Sequence, residues 1–441
     1  MGAGRAVQGL TPTQQNFFED GMSRFLEVDS VGGTLPGENG RGLGPTFNSN
    51  GCASCHSQPA TGGSSPSRDA YPFLGTNPQV AVANLDGASN TLPFFITEDG
   101  PVREVRFRYF LSSPGTLGNQ RDGGVHGLFT IQGRVDATNV MGTSGHLQTC
   151  RLAQPDFRQM GDLNNLSYRI PTPLFGVGLI ENIAESTIES NMQTDLALKR
   201  ALGISGHPNR NPNDGTISRF GWKAQNKSLQ IFSGEAYNVE MGVSNEAFPS
   251  ERGYAPIAPP ADCLFNMTPE DATNMQDDDG ETDVPSDVVQ FANFIRYLDQ
   301  PTPSCDGASC PRSVQNGRSL FTTVGCALCH TPTLRTTMSY FGRSLSNTNA
   351  NLYSDLLVHH MGSVLADDII QGSAGPDEFR TAPLWGIGQR IFFLHDGRTR
   401  DLSEAIRQHA GAGSEAHGVV TRYNHLTENE KQDLLDFLRS L

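Results

Sequence analysis

Hydrophobic positions in this chain come in short bursts, separated by long polar stretches rich in glycine and proline. Near the start, Phe17, Phe18, Met22, Phe25 and Leu26 recur at helical spacing behind Thr11 and Pro12, which predicts an amphipathic helix capped by Thr11. Val102 to Phe110 alternates Arg and Glu with Val, Phe and Tyr, the period of a half-buried strand, and Gly127 to Arg134 is its expected partner. Ser186 to Leu202 and Trp222 to Tyr237 read as helices around a turn-rich loop from Gly203 to Gly221. A further helix starts at Pro285 and ends in Phe294-Ile-Arg-Tyr-Leu298. The chain closes on a similar helix ending in Phe437-Leu-Arg-Ser-Leu441.

These patterns repeat. Asn316-Gly-Arg-Ser-Leu-Phe321 resembles the helix around Phe18-Glu-Asp-Gly21, and Pro383-Leu-Trp-Gly-Ile-Gly388 matches Pro173-Leu-Phe-Gly-Val-Gly178. The two closing helices match as well. Three matches in the same order point to an internal duplication. The boundary is expected in residues 301–311, giving domains 1–300 and 301–441. The expected fold is mainly α, with two similar small domains in tandem. The first carries a long, loop-rich insertion that contains a small β element.

Each half holds one Cys-x-x-Cys-His segment: Cys52-Ala-Ser-Cys55-His56 and Cys326-Ala-Leu-Cys329-His330. This spacing is that of a covalently attached c-type haem, in which two thioethers fix the porphyrin edge and the adjacent imidazole reaches the iron. A zinc knuckle or a redox dithiol is the competing reading. The two small domains then read as cytochrome c-like, and the cofactors as two haem c.

Composition narrows the partners. A net charge of −15 argues against nucleic acid and anionic membranes, and no apolar run approaches a membrane span. Covalent haem attachment implies an extracytoplasmic, periplasmic setting, so the start is expected to be that of a trimmed mature chain. Four further cysteines suggest two disulfides, Cys305 with Cys310 and Cys150 with Cys263. Glu270 to Asp283 is acidic but lacks the full EF-hand spacing, so it reads as a solvated linker, with a calcium site as the alternative.

Several segments resemble the bacterial di-haem oxidoreductase family, within the wider di-haem cytochrome c peroxidase superfamily. The most specific are Arg219-Phe-Gly-Trp-Lys-Ala224, Asp355-Leu-Leu-Val-His-His-Met-Gly362, Arg380-Thr-Ala-Pro-Leu-Trp-Gly-Ile-Gly388 and Phe393-Leu-His-Asp-Gly-Arg398. The resemblance implies a periplasmic enzyme with one electron-transfer haem and one haem at which hydrogen peroxide is reduced. A small redox protein would be the electron donor. The alternatives are a non-enzymatic electron carrier, or an enzyme that oxidises a protein or organic substrate.

Iron ligation separates these roles. His409, on the apolar face of a helix from Asp401, is the expected sixth ligand of the second haem, with Met361 as a rival. His359 and His360 precede Met361 on an expected short helix. Aligning the repeats puts Lys199 where His409 would fall, which leaves the first haem as the open site. His126, Met241, His146 and His207 compete as its ligand. Glu181 is the expected proton-transfer group there, with Glu185 and Gln132 as rivals. Arg134 and Arg169 are expected at propionates. His395 lies at a propionate or between the haems, or else serves only its turn. Trp222 and Trp385 are candidate relays, Trp385 being packed on the second haem.

Overall fold

The computed structural model describes residues 2–33, 35, 42–65, 77–132, 150–253, 258–264, 268–273 and 285–441. The chain divides into two compact units, each built from separated segments. One joins Met1–Asn16, Thr172–Leu229 and Ile295–Leu441; the other joins Phe17–Pro171 and Gln230–Phe294. A single cut at residues 301–311 therefore does not coincide with the edge of either unit. Residues 172–229 belong with the C-terminal segment because backbone bridges tie them there, Ile183 to Thr336 and His207 to Val358.

The described residues are mixed in class rather than mainly α. Helices alternate with five sheets of two or three strands and with long irregular stretches. With 48 Gly and 27 Pro in the chain, few segments run long enough without an interruption to form extended helices or ladders. No helix among the described residues is long and apolar enough to cross a membrane.

In the C-terminal unit, helix Arg312–Val324 crosses helix Glu428–Ser440. Gly317 allows the close approach, since a methyl there would overlap the Asp433 carbonyl. Phe321 then meets Phe437 at 5.4 Å and Tyr353 at 5.9 Å between ring centroids. Burying each such ring contributes about 1.5–3 kcal/mol. Gly325, with φ 109°, ends the first helix and directs the chain into the short turn Cys326–Leu328. Two repeated turns pack in the same way within this unit. Gly388 lies against the Arg439 carbonyl and Gly178 against the Arg296 carbonyl, leaving no room for a side chain at either.

The other unit uses the same helix contact. Gly21 lies against the Gln290 carbonyl and Phe294, and Phe18 and Phe25 stand 5.3 Å and 4.9 Å from the Phe294 ring. Phe17 and Leu26, expected on that face, are instead exposed. Strand Glu104–Phe107 is the centre of an antiparallel three-stranded sheet, between Val125–His126 and Leu166–Arg169. The described part of the expected partner, residues 127–132, does not pair with it. Phe129–Thr130 from that stretch pairs with Thr46–Phe47, because Gly127 lets the chain pass against Thr46.

Both disulfides join the expected cysteines, Cys150 with Cys263 and Cys305 with Cys310. The expected helix Ser186 to Leu202 is two helices, Glu185–Gln193 and Leu196–Leu202, broken where Asp195 takes φ 55°. The one expected from Trp222 to Tyr237 is regular only over Leu229–Glu240, after a turn in which Ala224 takes φ 51°. Val358–His360 is a strand paired with Glu378–Arg380, not a helix.

Candidate haem sites

A cavity in the C-terminal unit is lined by Cys326, Cys329, His330 and His409, with apolar walls from Leu402, Ile406, Val420 and Leu434. Its two histidines are prepared alike. His330 Nδ1 donates to the Tyr353 carbonyl at 2.9 Å, and His409 Nδ1 donates to the Ala405 carbonyl at 2.7 Å. A carbonyl only accepts, so each Nδ1 carries the proton and each Nε2 keeps a lone pair able to bind a metal. Burial pushes the His330 pKa down to about 4 and lowers that of His409, which keeps both rings neutral.

His56, in the other unit, follows the same rule. Its Nδ1 donates to the Gly63 carbonyl at 2.9 Å, and burial pushes its pKa down to about 4. Its ring lies 6.0 Å from Phe25, as that of His330 lies 6.4 Å from Phe321. Burial also raises the neighbouring thiols: Cys55 and Cys326 each reach about 12. A redox dithiol needs a lowered thiol pKa, which neither Cys55 nor Cys326 has.

One group in the cavity wall is a cation that meets no anion among the described residues. Arg390 has Nε and Nη2 buried and without a hydrogen-bond partner, and burial alone pushes its pKa down to about 10. Such a group fits a ligand that brings its own carboxylates, as a haem does. Arg390 escaped the sequence reading, although a lone arginine ahead of Ile391, Phe392 and Phe393 was a visible signal.

His395 also lines this cavity, stacked on Phe379 at 4.2 Å and edge-on to Trp222 at 6.3 Å. Met361 is in the wall too. His359 is not a free ligand. Its Nδ1 and Nε2 are held by Glu415 at 2.7 Å and Asp355 at 3.0 Å. Burial would lower its pKa, but Cys329 and Asp355 raise it well above the usual histidine value. Cys329, Asp355 and His359 are the only three metal-binding side chains that converge within 4.8 Å among the described residues, and these ion pairs account for the cluster. Trp385 does not line the cavity; it is buried across Gly176, where only a glycine leaves room for the indole.

The residues expected around the first haem are mostly engaged elsewhere. Glu181 accepts from Leu229 N at 3.0 Å and pairs with Arg296 Nε at 2.8 Å, so both its oxygens hold local structure. His126 lies in the three-stranded sheet, with Nε2 2.8 Å from Asp122 and its ring stacked on Phe107 at 3.8 Å. His207 pairs with Glu378 at 2.8 Å. Lys199 caps the carbonyls of Asn191 and Met192. Met241 is buried just after helix Leu229–Glu240, its carbonyl accepting from Gly44 N at 3.0 Å. Arg134, His146 and most of the acidic stretch 270–283 lie outside the described residues.

A carboxyl pair that the sequence reading missed sits beside the first Cys-x-x-Cys-His segment. The Glu240 carbonyl accepts from Asn48 N at 2.7 Å and Ser49 N at 3.2 Å, and Asn48 Nδ2 donates to Glu240 Oε2 at 2.8 Å. Burial and the neighbouring Glu104 push Glu240 up to about 8. Glu104 moves the other way: Arg106 and Arg169 outweigh its burial and lower it. The pair therefore keeps one proton at neutral pH, and Glu240 is also electrostatically coupled to Cys55. No sequence signal marked it, because its members are far apart along the chain.

No curated protein matches this chain. Among solved structures, it is similar to Kuenenia stuttgartiensis hydrazine synthase pressurised with xenon, at 21% identity and a TM-score of 0.25. That match covers 37% of this chain and 57% of that one. A MauG-like protein associated with microbial copper homeostasis is similar at 17% identity and a TM-score of 0.31, over 59% of this chain and 89% of that one. Residues 122–441 match the family described as "Di-haem oxidoreductase, putative peroxidase". That span takes in every residue that lines the cavity of His330 and His409 and well over half of the sequence, so the chain belongs to the di-haem oxidoreductase family.

Proposed function

We propose that this protein is a periplasmic di-haem c-type enzyme that reduces hydrogen peroxide to water. In this reading Cys52 and Cys55 attach the first haem with His56 as its ligand, and Cys326 and Cys329 attach the second with His330 and His409 as its ligands. The second site stores electrons received from a small redox protein, and the first is open to peroxide. When bound, the haems would supply one-electron redox chemistry and an iron able to take up peroxide.

The carrying observation is that His330 and His409 line one cavity, each with Nδ1 committed to a backbone carbonyl and Nε2 left as an acceptor. Two neutral imidazoles favour a six-coordinate, low-spin site suited to electron transfer rather than substrate binding. Of the expected rivals for the sixth position near His56, His126 is engaged by Asp122 and Phe107 and His207 by Glu378. The proton role expected of Glu181 passes in this reading to Glu240, beside Cys55. Reducing hydrogen peroxide to two waters takes two electrons and two protons, and a carboxyl that retains its proton at neutral pH is a suitable local donor.

Electron paramagnetic resonance of the haem-loaded protein, before and after peroxide, tests this together with peroxide turnover on a reduced cytochrome. The expected result is one peroxide-sensitive haem, one insensitive low-spin haem, and turnover. Two low-spin haems unchanged by peroxide, with no turnover, would leave an electron carrier.

A further inference from the structure

We propose that Arg390 is the carboxylate clamp of the cavity shared by His330 and His409, gripping one propionate of the porphyrin bound there. This rests on the reading of that cavity as a haem site. The backbone that carries Arg390 is rigid: Gly388 is packed against the Arg439 carbonyl, and the turn Ile387–Gln389 runs directly into Arg390. The side chain that this backbone carries lines the cavity wall.

Its two unpartnered atoms are informative. Nε and Nη2 form one edge of the guanidinium, the edge that takes a carboxylate through two parallel N–H bonds. The other arginine in the wall, Arg380, is already committed. It donates through Nε to the Gly221 carbonyl at 3.0 Å and through Nη1 to the Thr381 carbonyl at 3.4 Å, and Asp355 offsets part of its burial. For Arg390 burial is the sole influence, with no opposing carboxylate. A buried guanidinium without an anion is strongly unfavourable, and a ligand that carries a carboxylate relieves this. Held against a propionate, the same cation would favour the reduced, less positive form of the haem.

The test uses the full haem-loaded chain and its Arg390→Gln and Arg390→Lys variants, with haem counted per chain and each midpoint potential measured by spectroelectrochemistry. Arg390→Gln should keep two haems and lower the potential of one of them. Arg390→Lys, which keeps the charge but not the fork, should shift it less and should move the propionate bending band in the resonance Raman spectrum. Two haems with unchanged potentials in Arg390→Gln, or an unchanged propionate band in Arg390→Lys, would overturn the clamp. If Arg390→Gln does not fold, the Arg390→Lys band decides alone. Failure of the underlying haem reading has a different signature: a Cys326→Ala/Cys329→Ala variant carrying as many haems as the parent.

Discussion

His359 Nδ1 lies 2.7 Å from Glu415 Oε2, with both side chains almost fully buried. Glu415 would be raised by burial, but its bond to His359 holds it at about 2, while His359 is raised well above its usual value. The depressed Glu415 stabilises the fold above its unfolded value near 4.5, and loses this as pH falls towards 2. The raised His359 stabilises it below its unfolded value near 6.5, and loses this as pH rises through its folded value. Both contributions are complete only between about pH 4.5 and 6.5. Glu415→Gln should therefore cost about 3 kcal/mol at pH 5.5, the usual loss when one partner of a buried pair is removed. Denaturant midpoints at pH 5.5 and pH 3 check this; equal midpoints for the variant and the parent at pH 5.5 would contradict it.

Glu240 makes the opposite prediction. Its pKa is raised to about 8 from an unfolded value of 4.5. The stability it confers is complete below 4.5 and declines as pH rises to about 8. Glu240→Gln mimics the protonated form at every pH, so its melting temperature should fall less than the parent's between pH 5 and pH 8.5. Parallel melting curves for the two proteins would show that Glu240 titrates normally.

His409→Ala removes one of the two histidines that line the cavity. One of the two haems should change from low to high spin, visible in the optical and electron paramagnetic resonance spectra, while the haem count stays the same. An unchanged low-spin signal would remove His409 as a ligand.

The repeated glycines should be intolerant of a single methyl. Gly388→Ala and Gly178→Ala each press a Cβ into a backbone carbonyl, which should cost about 1–3 kcal/mol through backbone displacement. Gly2→Ala, with nothing within 4 Å, is the control. Thermal unfolding of all three against the parent reads the difference.

The two disulfides differ in the length of chain they close, 113 residues for Cys150–Cys263 and 5 for Cys305–Cys310. On loop-closure entropy the first contributes about 5 kcal/mol and the second about 2 kcal/mol. Replacing each pair by serine and comparing melting temperatures should give the larger loss for Cys150–Cys263.

The sequence by itself determined whatever depends on neighbours along the chain. Each Cys-x-x-Cys-His segment brings two thiols and an imidazole within one turn, whatever surrounds it. The repeat was readable because its glycines and aromatics meet the same geometric demand twice: Gly21 with Phe25, and Gly317 with Phe321, each pack on a closing helix. The close pair Cys305–Cys310 was within reach for the same reason, whereas Cys150–Cys263 followed by elimination and His409 from the apolar face of its helix.

Only the tertiary structure decided what each charged side chain does. Glu181 looked available until Arg296, more than a hundred residues away, occupied it. His126 is bound by Asp122 four residues earlier, yet its burial against Phe107 depends on the strand pairing. Glu240 meets Glu104, and Arg390 meets no carboxylate among the described residues. A residue type advertises its chemistry locally, but its charge state and partner depend on burial and on groups brought in from distant segments. Those are properties of the folded chain.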